Sequence, residues 1–452
     1  MADYDFDLFT IGAGSGGVRA ARLAAAKGKR SGLVEEWTVG GTCVHRGCVP
    51  KKLYVFASHF ADDFDDAAAY GWTVEGRRFD WPALVEAKKR ELGRLEGIYH
   101  RVIREAGAKL FTGHATLEDA HTIRIGDNTL TAENILIATG ASPYLPPIDG
   151  AELTITSDEI FDLPEFPERL VINGAGYIAL EFACIMRGLG ADVTVVYRRD
   201  RVLRGFDEDI RIAVQSEMME KGIRFRFEAG IERIEQGADG LAVTLSGADI
   251  LTADQVLVAT GRVPHTAELG LAAAGVTLEE NGAVRVDEYS RSTQSHIFAI
   301  GDCTDRVKLT PVAIHEAVCL IETLYGEHPR APDHESIPTA VFTQPPVGTV
   351  GLTEDAARAR FDNIDIYRAR FRPLKHTITG REEYVMIKLV VDGASDRVLG
   401  VHMVGMDAAE IIQTLGIAIK SGVTKAEMDA TMAVHPTTGE ELVLMSQPLA
   451  RA

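Results

Sequence analysis

The sequence predicts an α/β chain in which two dinucleotide-binding folds are followed by a C-terminal α+β domain. Two observations carry this. A strand–glycine turn–helix–strand pattern occurs twice, from Phe6 and again from Arg169, and the strand-rich stretch after Ser336 has no such turn. A third feature, Cys43 and Cys48 within GGTCVHRGCVPKK, indicates the chemistry these folds serve.

Length and composition set the bounds. A chain of 452 residues accommodates roughly two to four domains with cores of their own. It is 46% hydrophobic and 25% charged, with no apolar run long enough to span a bilayer. Its first residues are acidic and lead straight into a strand, with neither a basic region nor a small-residue cleavage site, so no signal peptide and a cytoplasmic location are expected. Five cysteines do not make a disulfide scaffold in a chain of this length. A net charge of −19 argues against nucleic-acid and anionic-membrane partners. It leaves room for a local cationic cleft and a small anionic substrate.

In the first unit, FDLFTI (Phe6–Ile11) is an apolar strand, Gly12, Gly14 and Gly17 form G-x-G-x-x-G, and residues 18–27 form an Ala-rich helix. The next strand, 31–34, ends at Glu35. Glycines there let a backbone approach a pyrophosphate at a helix N-terminus, and the acid suits a ribose hydroxyl pair.

The segment 40–52 follows. Pro50 fits an early helical position, which places Cys48 near a helix N-terminus where the dipole and Lys51 favour a thiolate. That reads as a redox-active dithiol, although the spacing alone also suits a structural disulfide or two buried thiols. Zinc is disfavoured, because no second Cys/His cluster stands at ligand spacing. Residues 80–106 have the period of a long helix, mostly a solvated face, with Tyr99 on it. ILIATG (135–140) is a strand, and Pro143, Pro146 and Pro147 mark a boundary near 142–150.

The second unit has Gly174-x-Gly176-x-x-Ala179 after a strand. It closes on Tyr197-Arg198-Arg199, with Arg204 beyond, in place of an acid. Arginines suit a 2′-phosphate through forked, charge-assisted hydrogen bonds, so NADPH is expected rather than NADH. VLVATGRVP (256–264) repeats the Ala-Thr-Gly ending and closes this domain. IFAIGD (297–302) is a strand whose Asp302 could bind a ribityl chain or close an ordinary turn, and Thr310 opens a helix. Beyond Ser336, four strands (TAVFTQ, GTVGL, VMIKLVVD, VLGVHMVG) surround two helices. His435 stands five residues before Glu440 in HPTTGEE, either a general-acid pair or a surface turn. Cys184, Cys303 and Cys319 read as packing residues.

Taken together, GGTCVHRGCVPKK, GAGYIALEFA, the Arg198/Arg199/Arg204 set, AIGD, LTPVA and HPTTGEE resemble the flavin-dependent pyridine nucleotide–disulfide oxidoreductases, in their glutathione-reducing branch, over nearly the whole chain. The resemblance implies an FAD-binding domain at 1–145, an NADPH-binding domain at 146–265, a segment at 266–335 completing the FAD domain, and an interface domain at 336–452. It implies a homodimer, glutathione disulfide as substrate, and no metal. Cys43 is then the interchange thiol, and Cys48 the flavin-adjacent thiol that forms a charge-transfer thiolate. Lys51 pairs with Glu181, Tyr177 covers the nicotinamide pocket, and His435, held by Glu440, serves the other subunit. FAD falls to Gly12, Gly14, Ser15, Gly17, Glu35, Thr42, Cys43, Lys51, Thr139, Gly140, Asp302 and Thr310. NADPH falls to Gly174, Gly176, Tyr177, Ile178, Glu181, Arg198, Arg199, Arg204 and Gly261. Ser15, Arg22 and Tyr99 face the substrate. The chain departs from the family pattern at Val318, where many members have a carboxylate-binding arginine, and at His265 in place of asparagine. Arg19, one helical turn before Arg22, is expected to compensate in part for the first; the second is expected to matter little.

Overall fold

The computed structural model describes residues 4–449, which form two compact units. Residues 4–51, 82–144 and 261–334 make up the first; 52–81, 145–260 and 335–449 make up the second.

The first unit is built on a sheet in which Lys109–Thr112, Ser31–Glu35, Phe6–Ile11 and Asn128–Ile137 run parallel in that order. Thr122–Ile125 and Ala115–Leu117 extend it antiparallel, and Ile297–Ala299 also joins Asn128–Ile137. Because side chains alternate across a strand, Leu8, Leu136 and Phe298 face one side and Phe9, Ile135 and Ile297 the other. The first face is covered by the helices Ser15–Ala26 and Thr310–Tyr325 through Ala20, Ala24, Ala317, Leu320 and Ile321. Small residues on Ser15–Ala26 let these helices lie close to the strands whose ends carry the site. The strand that the sequence places at 297–302 stops at Ala299, and Gly301–Thr304 is a 3₁₀ turn.

The second unit holds a parallel sheet, Arg224–Phe227, Asp192–Tyr197, Arg169–Asn173 and Gln255–Val258, with a separate antiparallel three-stranded sheet beside it in sequence. Its C-terminal part is a five-stranded antiparallel sheet in the order Thr339–Val341, Val347–Gly351, Val398–Val404, Val385–Asp392, Ile364–Phe371. The last of these is a fifth strand beyond the four expected: in IDIYRARF, arginines on alternate positions hide an otherwise ordinary period of two. Val385–Asp392 is buried throughout, including Lys388, whose ammonium meets Asp207 (2.9 Å), Asp209 (2.8 Å) and Glu354 (2.7 Å).

Residues 52–81, expected within the first nucleotide domain, pack in the second unit instead. The Tyr54 hydroxyl donates to the Phe161 carbonyl at 2.7 Å, and the Trp81 indole to that of Leu163 at 2.8 Å. Aromatic side chains with polar tips that need buried acceptors fix this placement. Among the described residues no helix is long and apolar enough to cross a membrane.

Candidate active site

The first glycine turn is shaped by close approach. Gly12 has φ +100°, and a Cβ on it would lie 2.5 Å from the Ala138 carbonyl oxygen; one on Gly17 would strike the carbonyl of Gly12. A Cβ on Gly14 would meet nothing within 4 Å, so the space over the turn is open. Ser15–Ala26 begins there with no side-chain cap and no acid in its first turn, leaving amide donors directed at that space. A pyrophosphate fits such a cradle. Glu35, at the end of its strand, accepts the Ala13 amide at 2.8 Å and the Trp37 amide at 3.0 Å. Burial pushes its carboxyl above the ordinary value against those bonds. The acid therefore also builds the turn, while lone pairs remain for a ribose.

Cys43 lies in the short helix Gly41–His45, which follows Gly40 at φ +111°, and Thr42 precedes it there. Cys48 is the first residue of the helix Cys48–Ala67, whose first turn also holds Lys51. The Cys48 sulfur lies 3.6 Å from the Thr310 hydroxyl, at the start of Thr310–Tyr325. Neither thiol is in a disulfide; Cys48 is exposed and Cys43 half-buried. The adjacent Cys48 sulfur and burial push the Cys43 thiol far up, with the Thr310 and Ser15 hydroxyls pulling the other way. Two sulfurs this close cannot both hold negative charge; one ionises and suppresses the other. Tyr99 is part of the same neighbourhood: burial and Cys43 raise its phenol, and Arg22 and Arg19 lower it.

The Ala-Thr-Gly strand end is tied to the segment that follows the second nucleotide unit. Thr139 donates its hydroxyl to the His265 carbonyl at 2.5 Å, and the His265 amide donates to Gly140 at 2.9 Å. His265 thus acts here through its backbone, which any residue could supply. Gly261 groups with this first unit, where its carbonyl accepts the Tyr144 amide. Burial raises the Asp302 carboxyl, opposed by Arg262 and Lys308. A buried residue that the sequence reading passed over holds this turn. Glu316 accepts the Gly301 amide at 2.7 Å through one oxygen and meets Arg306 (2.8 Å) and His334 (2.9 Å) through the other. A charged residue in an otherwise apolar helical stretch, AIHEAVCL, was the only available signal.

In the second unit Gly174 (φ +125°) is excluded from bearing a Cβ by the Ala259 carbonyl, and Gly176 opens on free space. Tyr177 and Ile178 start the uncapped helix Tyr177–Gly188, with Tyr177 exposed. The Leu203 amide donates to the Ala175 carbonyl at 3.0 Å, which brings the loop carrying Arg198, Arg199 and Arg204 back to this turn. All three arginines are exposed, and among the described residues none of them meets a carboxylate, whereas Arg201 in the same loop pairs with Glu208. Buried Glu181 accepts the Phe342 amide at 2.8 Å. His435 lies on the exposed stretch 431–437, with its Nδ1 2.9 Å from Glu440. Cys184 and Cys303 are buried thiols pushed up to about 12, and burial also raises Cys319. Among the described residues no group of three or more His, Cys, Asp or Glu is arranged to hold a metal.

Comparison with known proteins agrees with this geometry. Residues 6–317 match the family described as pyridine nucleotide-disulphide oxidoreductase, and 337–446 its dimerisation domain. The chain is 48% identical over 445 residues to a glutathione reductase of Burkholderia cepacia, covering 98% of this chain and 99% of that one. It is 48% identical over 456 residues to a glutathione reductase of Nostoc sp., with 98% and 99% covered. Among solved structures, the HOCl-induced flavoprotein disulfide reductase RclA from Escherichia coli superposes with a TM-score of 0.88 at 27% identity, over 97% of this chain and 99% of that one.

Proposed function

This chain belongs to the pyridine nucleotide–disulphide oxidoreductases, and from that premise we propose that it is an NADPH-dependent, FAD-containing reductase of glutathione disulfide that works as a homodimer in the cytoplasm. The observation that carries the reading is the Cys43–Cys48 pair at a helix start, beside the Thr310 hydroxyl.

The first glycine turn, with Ser15, Glu35, Thr42, Lys51, Thr139, Gly140, Asp302 and Thr310, would hold FAD. The second, with Tyr177, Ile178 and Glu181, would hold NADPH, and Arg198, Arg199 and Arg204 would take its 2′-phosphate. Bound there, FAD would supply the two-electron route from NADPH to the Cys43–Cys48 disulfide, which opens to two thiols on taking up two protons. Tyr177, exposed at its helix start, would shield the nicotinamide pocket.

Cys43, once deprotonated, attacks one sulfur of glutathione disulfide. A mixed disulfide forms and one glutathione thiolate leaves. Cys48 then attacks the Cys43 sulfur, releases the second glutathione and restores the protein disulfide. Because Cys48 suppresses ionisation of Cys43, the attacking thiol needs a base, and Ser15, Thr310 and Tyr99 supply none at neutral pH. The partner subunit's His435 takes that proton and returns it to the departing thiolate. Its exposure here suits a residue whose site lies on another chain.

The test is anaerobic. Purified holoenzyme is treated with one equivalent of NADPH, then with iodoacetamide, and the alkylated cysteines are mapped by mass spectrometry. Cys43 should label only after NADPH, and prior glutathione disulfide should abolish the labelling. If NADPH uncovers Cys43 but glutathione disulfide does not protect it, the relay holds and the substrate assignment fails.

A further inference from the structure

We propose that Arg211 is a positioning residue for coenzyme choice, holding the loop that carries Arg198, Arg199 and Arg204 in a fixed shape ready for a 2′-phosphate; this rests on the NADPH reading above. The loop, residues 198–206, leaves the strand Asp192–Tyr197 and enters the helix Glu208–Glu220 with no helix or strand of its own. Its three exposed arginines carry like charge and meet no carboxylate among the described residues. Their mutual repulsion works against any single arrangement, so the loop has to be held through its backbone.

Arg211 provides that hold. Its Nε donates to the Val202 carbonyl at 2.7 Å, and one terminal nitrogen donates to the Arg201 carbonyl at 3.1 Å. The other terminal nitrogen meets Glu208 at 2.6 Å, on the carboxylate oxygen that Arg201 leaves free. One planar fork thus takes two successive loop carbonyls and the loop's own ion pair, a geometry that an ammonium does not offer. Gln215, one turn further along the same helix, accepts the Val202 amide at 3.4 Å. Asp207 fixes the loop's exit, capping the helix and meeting buried Lys388 at 2.9 Å.

The helix itself gives no reason for an arginine here. Arg211 is its fourth residue, at the end where the dipole favours acids. Side chains on a helix lean toward its N-terminus, which carries this guanidinium back over the loop, where it is only 19% exposed. The bonds it makes use none of the three coenzyme arginines. They also occupy Glu208, whose two oxygens are taken by Arg201 and Arg211, so that this acid does not compete with a phosphate for those arginines. Pre-organisation of this kind strengthens binding by sparing the ligand the cost of ordering the loop.

The experiment compares wild type, Arg211→Ala, Arg211→Lys, Arg204→Ala and the double variant Arg204→Ala/Arg211→Ala, all as holoenzymes. Steady-state kinetics use NADPH and NADH at saturating glutathione disulfide, with 2′,5′-ADP as competitor. Arg211→Ala should raise KM for NADPH about three- to ten-fold with kcat held, and weaken inhibition by 2′,5′-ADP by the same factor. KM for NADH should move by no more than about two-fold, and Arg211→Lys should fall between wild type and Arg211→Ala. Because Arg211 acts through the loop arginines, the double variant should lose less than the product of the two single losses. An unchanged KM for NADPH in Arg211→Ala, an equal rise for both coenzymes, or fully multiplicative losses overturns the proposal. If wild type takes NADH as readily as NADPH, it is the coenzyme reading beneath it that falls.

Discussion

The Nδ1 atom of His435 sits 2.9 Å from Oε2 of Glu440, while 80% of the histidine side chain stays open to solvent. A carboxylate accepts only, so Nδ1 carries the hydrogen and Nε2 is left with the lone pair.

Removing that orientation should slow thiol exchange and leave reduction alone. Glu440→Gln is expected to lower kcat about ten-fold, and His435→Ala on the order of a hundred-fold or more. Stopped-flow reduction by NADPH should be unchanged in both. A slowed NADPH phase would assign the pair a structural role.

Coenzyme choice should track the unpaired arginines. Replacing Arg198, Arg199 or Arg204 by alanine should raise KM for NADPH about ten-fold each, through loss of charge-assisted hydrogen bonds. KM for NADH should scarcely move. Parallel losses with both coenzymes would place these residues elsewhere.

Glu316 should matter to the Asp302 turn without touching substrate. Glu316→Ala leaves the Gly301 amide, the Arg306 guanidinium and the His334 ring without their acceptor, and is expected to cost about 3 kcal/mol of stability. It should also loosen FAD, measured as flavin released on dilution. Glu316→Gln keeps an acceptor and should fall between.

Acid should weaken the C-terminal sheet through His402. Burial holds its imidazole below the ordinary value of 6.5, so the unfolded chain binds the proton first. Stability from this group is complete above 6.5 and is lost as pH falls from there through the folded value. Melting temperature followed from pH 7.5 to pH 5 should drop, and less steeply in His402→Gln.

The parts of the fold legible in the sequence are those where one residue type is physically required. Gly12 and Gly174 must lack a Cβ because a carbonyl occupies its place, so both nucleotide turns could be read directly. The place of Cys48 at a helix start was legible for a similar reason: Pro50 and the flanking glycines announce it. Long-range partnerships were not. Glu316 looks like any helical acid until Gly301, Arg306 and His334 converge on it. Residues 52–81 gave no sign of their destination, since Tyr54 and Trp81 choose partners by hydrogen bonds made more than eighty positions away. The strand Ile364–Phe371 was lost to its arginines, which face outward on a pairing that only the neighbouring Val385–Asp392 reveals.

The two glycine turns repeat one geometry with opposite chemistry at the closing strand. Glu35 is embedded, with both oxygens bound to backbone, so changing it would disturb the turn itself. The side chains of Arg198, Arg199 and Arg204 stand in solvent and meet no carboxylate among the described residues. Substitutions at such positions ordinarily shift folding by no more than about half a kcal/mol. On the cofactor assignments proposed above, a lineage could therefore change its electron donor by drifting at three surface codons, whereas its flavin site is locked into the architecture. Of the two cofactor preferences, only one is open to evolution on its own.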